Sequence, residues 1–246
     1  MKTVGVVLAS GIGQRFGAAI PKQFMTLNNK MVIQYVIDAL KESGVDYLIC
    51  TLPGNYYSSE SMKGIVESIQ GIDKFVVGGD SRSETVINAL KACPQDTKYV
   101  IFMDSVRPFM KSSHIKRCLD KLKNDPEIKY VVTGQKITDS LFSILPHLSG
   151  NKVVRGEDRE KFKLCQSPEV FDFETINKIY QNNDFIRITN PENVAKVFNF
   201  YPHIKGEFID YAGTNMKITY EEDLCKAEQF MKYVKFEEMK DINIDG

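Results

Sequence analysis

Between Leu8 and Phe24 the chain reads LASGIGQRFGAAIPKQF, which sets Gly11, Gly13 and Gly17 beside Arg15 and Lys22 directly after an apolar run. Glycines permit positive φ and let backbone N–H groups approach a ligand closely. Several such groups facing inward make a nest for phosphate oxygens. Arg15 adds a planar fork that can grip phosphate through two bonds, and Lys22 a compact cation that can sit on one phosphate. The chemistry indicated is the binding of a polyanion. The plain alternative is a tight strand-to-helix turn with two surface cations. The glycine spacing is G-x-G-x-x-x-G, so it is not the dinucleotide fingerprint, and G-x-x-x-x-G-K-[ST] is absent.

Two further stretches carry charge beside glycine or proline: Gly78–Arg82 (GGDSR) and Asp104–Arg107 (DSVR). Each has an ordinary reading as well. Asp80 suits a turn. Asp104 can cap a loop, and Arg107, before Pro108, can be a structural ion-pair residue. Lys217 lies in a strand-like stretch where a solvated lysine is common. Arg159 sits in the charge run RGEDREK, a pattern usual for a solvated face.

The elements that must position these residues follow from periodicity. TVGVVLA (Thr3–Ala9) is a valine-rich run of the kind buried on both faces in parallel sheets. MVIQYVIDALKESG has Val32, Tyr35, Val36, Ala39 and Leu40 at helical spacing, with Gly44 to end the helix. Strands are expected at VDYLICTL, KFVVGGD, KYVIFMD and IKYVVTG, and helices at SESMKGIVESIQG, SRSETVINALKAC and SSHIKRCLDKLK. Alternation of strand and helix predicts an α/β fold: a Rossmann-like, mostly parallel sheet with helices on both faces. Ligands in such sheets sit beyond the carboxyl ends of the strands, where the three charged loops fall. From about 136 to 165 the alternation breaks into polar alternation with Pro146 and a Ser-Gly-Asn turn, which predicts a projecting β-arm. A helix at DFETINKIYQNN follows. NMKITYEEDLCKAEQFMKYV then predicts a short strand and a helix capped near Thr219, with Glu221, Glu222 and Asp223 in its first turn. The whole of 1–246 is expected to be one domain.

Composition excludes several classes. Lys+Arg and Asp+Glu are 32 each, so any anionic ligand must be held locally and neither nucleic-acid nor membrane binding is expected. The N-terminal apolar run is too short for a signal peptide, so a cytoplasmic location is expected. The 5 cysteines are scattered without a C-x-x-C, and the 3 histidines are far apart, which argues against a disulfide framework, a zinc site or a histidine metal cluster. Cys50, in YLICTL, reads as a small buried hydrophobe.

LASGIGQRFGAAIPKQF resembles the N-terminal signature of the sugar-nucleotide-type nucleotidyltransferases. More closely, it is similar to the cytidylyltransferases that act on 2-C-methyl-D-erythritol 4-phosphate or D-ribitol 5-phosphate. The resemblance continues in order through GGDSRSETV (78–86), MDSVRPF (103–109), TDSLF (138–142), CQSPEVF (165–171) and NMKITYEEDL (215–224). It implies an enzyme that binds CTP and a small phosphorylated polyol and releases pyrophosphate, with Mg²⁺ or another hard divalent cation. It implies that Ala9, Ser10 and Gly11 contact base and ribose. Gly13 and Arg15 would hold the β- and γ-phosphates, and Lys22 and Lys217 the α-phosphate. By the same resemblance Gly79, Asp80 and Thr85 surround the cytosine, Arg82 supports that loop, and Asp104 lies near ribose and metal. Acceptor contacts are implied for Arg107, Ser140, Arg159, Ser167 and Thr189, some across a homodimer interface made by the arm.

The chain departs from the family pattern on the acceptor side. H-D-A-[AV]-R-P is altered at Met103 and Ser105, Q-T-P-Q reads Gln166-Ser167-Pro168-Glu169, and I-T-D-[EA] carries Asn190 and Pro191. Pro191 disfavours helical geometry at Asn190, so a helix there should start later or differ in shape. With the CTP side close to intact, the expected acceptor is ribitol-5-phosphate-type or a related surface-polymer precursor, with methylerythritol phosphate of isoprenoid synthesis as the alternative. A dinucleotide-dependent oxidoreductase lacks its glycine spacing and an acid after VDYLICTL. A non-catalytic nucleotide-binding protein is the remaining rival, opposed by retention of both Lys22 and Lys217.

Overall fold

A computed structural model of the chain describes residues 1–11, 20–57, 59–147, 150–181 and 190–242. Gly13, Arg15, Gly17 and Thr189 lie outside the described residues.

The valine-rich run forms β1 (Lys2–Leu8), with Val4, Val6 and Val7 fully buried. It lies between β4 (Tyr47–Leu52) and β6 (Thr97–Asp104), parallel to both. β5 (Lys74–Val77) extends the parallel set beyond β4. On the other side the order continues through β10 (Lys163–Asp172), β7 (Ile128–Lys136) and β11 (Lys205–Asp210). β10 is antiparallel to both β6 and β7, while β11 pairs parallel with β7. The seven-stranded sheet is thus mostly parallel, as the alternating pattern predicts. β10 and β11 were not legible from that pattern.

Helices cover both faces. α1 (Val32–Glu42) and α4 (Ser112–Asn124) bury Ile33, Val36, Ile37, Ile115, Leu119 and Leu122 on one side, with α2 (Glu60–Ser68) packed there through Ile65 and Val66. α3 (Arg82–Ala92) and α5 (Phe173–Gln181) bury Val86, Leu90, Ile176 and Ile179 on the other. Each such aliphatic side chain contributes about 1.5–3 kcal/mol on leaving water. Gly44, at φ +87°, turns the chain out of α1 in the left-handed region that glycine tolerates best. Cys50 is fully buried in β4, as expected of a small hydrophobe.

The arm is a hairpin of β8 (Leu141–His147) and β9 (Gly150–Glu157). The expected span of 136–165 overlaps the sheet at both ends, because Lys163 already pairs with Lys136. A two-strand ribbon, β2 (Thr26–Leu27) with β3 (Lys30–Met31), precedes α1.

The chain near Lys217 corrects one expectation. No strand forms at Asn215–Ile218. The segment is tied by one backbone bond, Ile218 N–H to Val106 C=O at 3.0 Å, and through Asn215, whose C=O accepts from Arg107 Nη1 and whose Nδ2 donates to Ser167 C=O. The final helix, α6 (Glu221–Ile242), starts where expected. Asp223, in its first turn, accepts the Thr219 and Tyr220 N–H groups at 2.8 and 2.9 Å. After Pro191 only a 3₁₀ turn appears, at Ala195–Phe200, with Asn190 at φ +33°. The later start expected from that proline is what the fold contains. Among the described residues no helix is long and apolar enough to cross a membrane.

Candidate active site

Three parallel strands deliver their carboxyl ends to one cavity of about 880 Å³. β1 brings Ser10 and Gly11, β5 brings Gly79 to Arg82, and β6 brings Asp104. Lys22 and Lys217 line the same cavity although 195 positions separate them in sequence (217 minus 22). The segment bonded to Val106 is what carries Lys217 there.

The wall on the β1 and β5 side is built around two hydroxyls. Ser10 Oγ and Thr85 Oγ1 stand 3.1 Å apart. Thr85 Oγ1 also accepts the Gly79 N–H at 3.1 Å and donates to Ser81 C=O at 3.0 Å. Ser81 caps α3 by accepting the Glu84 N–H at 3.1 Å, and Glu84 in turn accepts the Asp80 N–H at 3.0 Å. The loop is therefore fixed before any ligand arrives. Gly78 is required by the close approach: a Cβ there would fall 2.4 Å from Ser10 Cβ.

Asp104 is the electrostatic centre. Its Oδ1 accepts from Arg82 Nη1 and Nη2 at 3.3 and 3.4 Å. Its Oδ2 takes Arg107 Nε and Lys217 Nζ, each at 3.1 Å. Burial acts to raise this carboxyl's pKa, but Arg82, Lys217 and Arg107 outweigh it and hold the group well below the ordinary carboxylate range. Behind it, Ser167 Oγ accepts the Asp104 N–H at 3.1 Å, and Ser167 is buried. Arg107 Nη1 donates to Asn215 C=O at 2.7 Å, which joins the Asp104 loop to the lysine-bearing segment.

Arg82 has a second carboxylate partner. Its Nη2 lies 3.7 Å from Glu169 Oε1, and Glu169 is 2% exposed. Glu169 also accepts the Val194 and Ala195 N–H groups at 3.3 and 2.7 Å. Burial raises its pKa, against the opposing pull of Arg82 and those two N–H groups. Ser83 Oγ bonds Asn190 Oδ1 at 3.2 Å, so the segment after residue 189 is tied to α3 as well as to β10.

Of the residues singled out from sequence, Ser10, Gly11, Lys22, Gly79, Asp80, Arg82, Thr85, Asp104 and Lys217 line the main cavity. Ala9 is buried beside it; its N–H is bonded to Thr51 C=O and its carbonyl accepts from Gln23. Arg107 lines an adjacent cavity of about 470 Å³ that shares Lys217 with the first. Ser140 and Arg159 line neither and sit at the base of the arm, where Arg159 Nη1 donates to Thr138 C=O. Gly13, Arg15 and Thr189 lie outside the described residues.

Sequence reasoning missed Gln23 and Glu169. Gln23 is 2% exposed and its Nε2 donates to both Ala9 C=O and Gly11 C=O, at 2.9 and 3.0 Å. Nothing in IPKQF distinguishes that amide from a surface glutamine. Glu169 did leave a signal: a carboxylate in the buried run PEVF demands a partner.

The described residues contain no group of three His, Cys, Asp or Glu side chains able to cage a metal. Two carboxylates line the cavity, Asp80 on the loop after β5 and Asp104, which is bonded by three cations. That donor set fits a hard ion that takes most of its ligands from phosphate oxygens and water.

Comparison with known proteins gives the lineage. The family described as "IspD: 2-C-methyl-D-erythritol 4-phosphate cytidylyltransferase" matches residues 3–233. A protein of that enzyme name from Caldicellulosiruptor saccharolyticus is 27% identical over 237 residues, covering 94% of this chain and 100% of its own. One from Clostridium perfringens is 29% identical over 238 residues, with 94% and 99% covered. Among solved structures, 4-diphosphocytidyl-2C-methyl-D-erythritol synthase from Anaerococcus prevotii superposes with TM-score 0.76 at 21% identity, covering 94% of this chain and 98% of that one. The 2-C-methyl-D-erythritol 4-phosphate cytidylyltransferase from Thermus thermophilus gives 0.70 at 21% identity, with 92% and 98% covered. At that identity the structures speak for the fold.

Proposed function

The chain belongs to the IspD family and is a CTP-dependent cytidylyltransferase of that type, and on this premise we propose that its acceptor is 2-C-methyl-D-erythritol 4-phosphate. The relatives carry that substrate in their names. They favour it over the ribitol-5-phosphate-type acceptor that the altered acceptor-side motifs led us to expect.

In the proposed reaction an acceptor phosphate oxygen attacks the α-phosphorus of CTP in line. A new P–O–P bond forms, the α–β bridge breaks, and pyrophosphate leaves with the bond's electron pair. A phosphate monoester is already anionic near neutral pH, so no strong general base is required. The difficulty is to bring two polyanions together, and the cations answer it. The observation that carries the reading is that Lys22 and Lys217, distant in sequence, line one cavity with Asp104 between the loops. Both lysines would sit on the α-phosphate, where charge builds in the transition state. Arg15 and Gly13 would hold the outer phosphates. Ser10, Gly11, Gly79, Asp80 and Thr85 would receive base and ribose, with Ala9 and Arg82 supporting them. Asp104 would meet the ribose. Arg107, Ser167 and Thr189 would serve the acceptor side, Ser167 through its hold on Asp104.

Mg²⁺, when bound, would neutralise triphosphate charge, with Asp104 its single protein carboxylate. A homodimer through the arm would bring Ser140 and Arg159 toward a partner's cavity. The arm exposes Phe142, Ile144, Leu145, Val153 and Val154, an apolar surface fit for a second copy.

The test is pyrophosphate release from CTP and Mg²⁺ with purified protein and each acceptor in turn. Turnover with methylerythritol phosphate well above that with ribitol 5-phosphate is expected. The reverse preference overturns the acceptor assignment, and CTP binding without turnover on any acceptor overturns catalysis.

A further inference from the structure

The smaller cavity has a wall made of side-chain amides. Gln135 Nε2 donates to Gly213 C=O at 2.8 Å. Gln135 Oε1 accepts from Gln166 Nε2 at 3.2 Å, and Gln166 Oε1 accepts from Asn215 Nδ2 at 2.9 Å. Asn215 Nδ2 spends its other hydrogen on Ser167 C=O at 3.0 Å. The three amides form one directed chain of donors running from Asn215 to Gly213. All three line the cavity of about 470 Å³, and so do Arg107 and Lys217 at its charged end.

What that wall can recognise follows from counting. An amide nitrogen carries two hydrogens and its oxygen two lone pairs. Within the chain Gln135 and Gln166 each use one hydrogen and one lone pair, so each keeps one donor and one acceptor. Both side chains are half-buried and reach the cavity. Asn215 is 2% exposed, and its Oδ1 has no partner among the described residues. A surface offering donors and acceptors alternately matches groups that do both. Hydroxyls do; carboxylates only accept, and ammonium groups only donate. With cations at one end and amides along the wall, the complement is a phosphate monoester with a hydroxyl-bearing tail.

We infer that Gln135 and Gln166, held in register by Asn215, read the hydroxyls of the acceptor polyol and set acceptor specificity. The inference rests on the reading above that the acceptor is a phosphorylated polyol. Neither glutamine touches the main cavity, so their effect should fall on the acceptor and spare CTP.

The experiment compares wild type with Gln135→Leu and Gln166→Leu, and with Gln166→Met as a variant of similar shape. KM is measured separately for CTP and for methylerythritol phosphate, and again with a hydroxyl-free monoalkyl phosphate as acceptor. The inference expects KM for the polyol phosphate to rise about tenfold for each lost contact, with KM for CTP and for the alkyl phosphate unchanged. An unchanged polyol KM, or a CTP KM that rises in step, overturns it. Should wild type turn over no phosphorylated polyol, the acceptor reading fails at that point. The inference is then judged by saturation-transfer NMR of ribitol 5-phosphate and methylerythritol phosphate on the CTP-bound protein. Polyol signals lost in the Gln variants support it; signals equal in all proteins, or absent from wild type, overturn it.

Discussion

Lys217 Nζ and Arg107 Nε share one oxygen of Asp104, each at 3.1 Å, while Arg82 holds the other oxygen. Lys217 is the more exposed member, its side chain being 41% exposed and that of Arg107 only 9%. It can swing to a phosphate while Arg107 keeps the loop in place. Lys217→Ala should therefore leave the fold and CTP affinity nearly intact and lower kcat by about 10²–10³, as loss of a preorganised charge does. Steady-state kinetics beside a CTP titration checks this. A kcat within about threefold of wild type would remove Lys217 from the chemistry.

Asp104→Asn tests the centre from the other side. It leaves Arg82 and Arg107 without their shared counter-charge, and removing one partner of a buried pair costs about 3–5 kcal/mol. The low end is expected, because the lysine third of the cluster faces water. The pH sign is definite. The folded-state pKa is depressed, so this carboxylate's stabilisation is present above its ordinary value of 3.8 and is lost only as pH falls through the depressed one. The urea midpoints of wild type and variant should stay apart above about pH 5, with any change in the gap toward neutrality coming from Glu169, whose pKa Asp104 helps to raise.

The central sheet was legible because its strands carry the signal that burial on both faces imposes: β1, β4 and β6 are continuous apolar runs. β10 was hidden because its first half, though paired with β7, is largely exposed and polar and its second half carries Glu169 among apolar neighbours. NMKITY reads as a short strand, yet its segment is fixed by one backbone bond to Val106 and by the bonds of Asn215, and such tethers leave no periodicity. The loop residues of the cavity were legible through their chemistry. Gln23 was not, because its role is to fill two carbonyls that only the folded turn brings together.

Glu169 titrates in the opposite sense to Asp104. Its folded pKa is raised above the ordinary 4.5, chiefly by burial. Its stabilising contribution is full below 4.5 and lost as pH rises through the folded value. Glu169→Gln removes that dependence. Relative to the variant, wild type should lose urea stability on going from pH 4.5 toward neutrality, by about 1.4 kcal/mol per unit of pKa elevation. Curves that run parallel across this range would show that the carboxyl is not the titrating group.

The arm makes a prediction about mass. Phe142 and Val154 are both 60% exposed, a poor arrangement for a ribbon facing water alone. Phe142→Lys with Val154→Lys should halve the mass seen by light scattering without lowering the melting temperature of the sheet domain. Activity should fall with the mass, because Ser140 and Arg159 line neither cavity of their own chain. Wild type that is monomeric at all concentrations tested, or a variant that stays dimeric, refutes the arm interface.

Gln23 ties the Lys22–Phe24 turn to the end of β1. One amide nitrogen spends both hydrogens on Ala9 C=O and Gly11 C=O, which joins the end of β1 to the segment that carries Lys22. Gln23→Ala strands the carbonyl of buried Ala9, at a cost of about 1–3 kcal/mol, while that of exposed Gly11 can turn to water. Because Gly11 lines the cavity, relaxation there shifts its wall, and the cost should appear as much in nucleotide binding as in stability. A CTP KM raised about tenfold with a modest loss of urea stability is expected. Gln23→Glu should be worse than alanine, since it points a carboxylate at two carbonyl oxygens. Equal CTP KM in wild type and both variants would mean that the Gln23 amide plays no part in nucleotide binding.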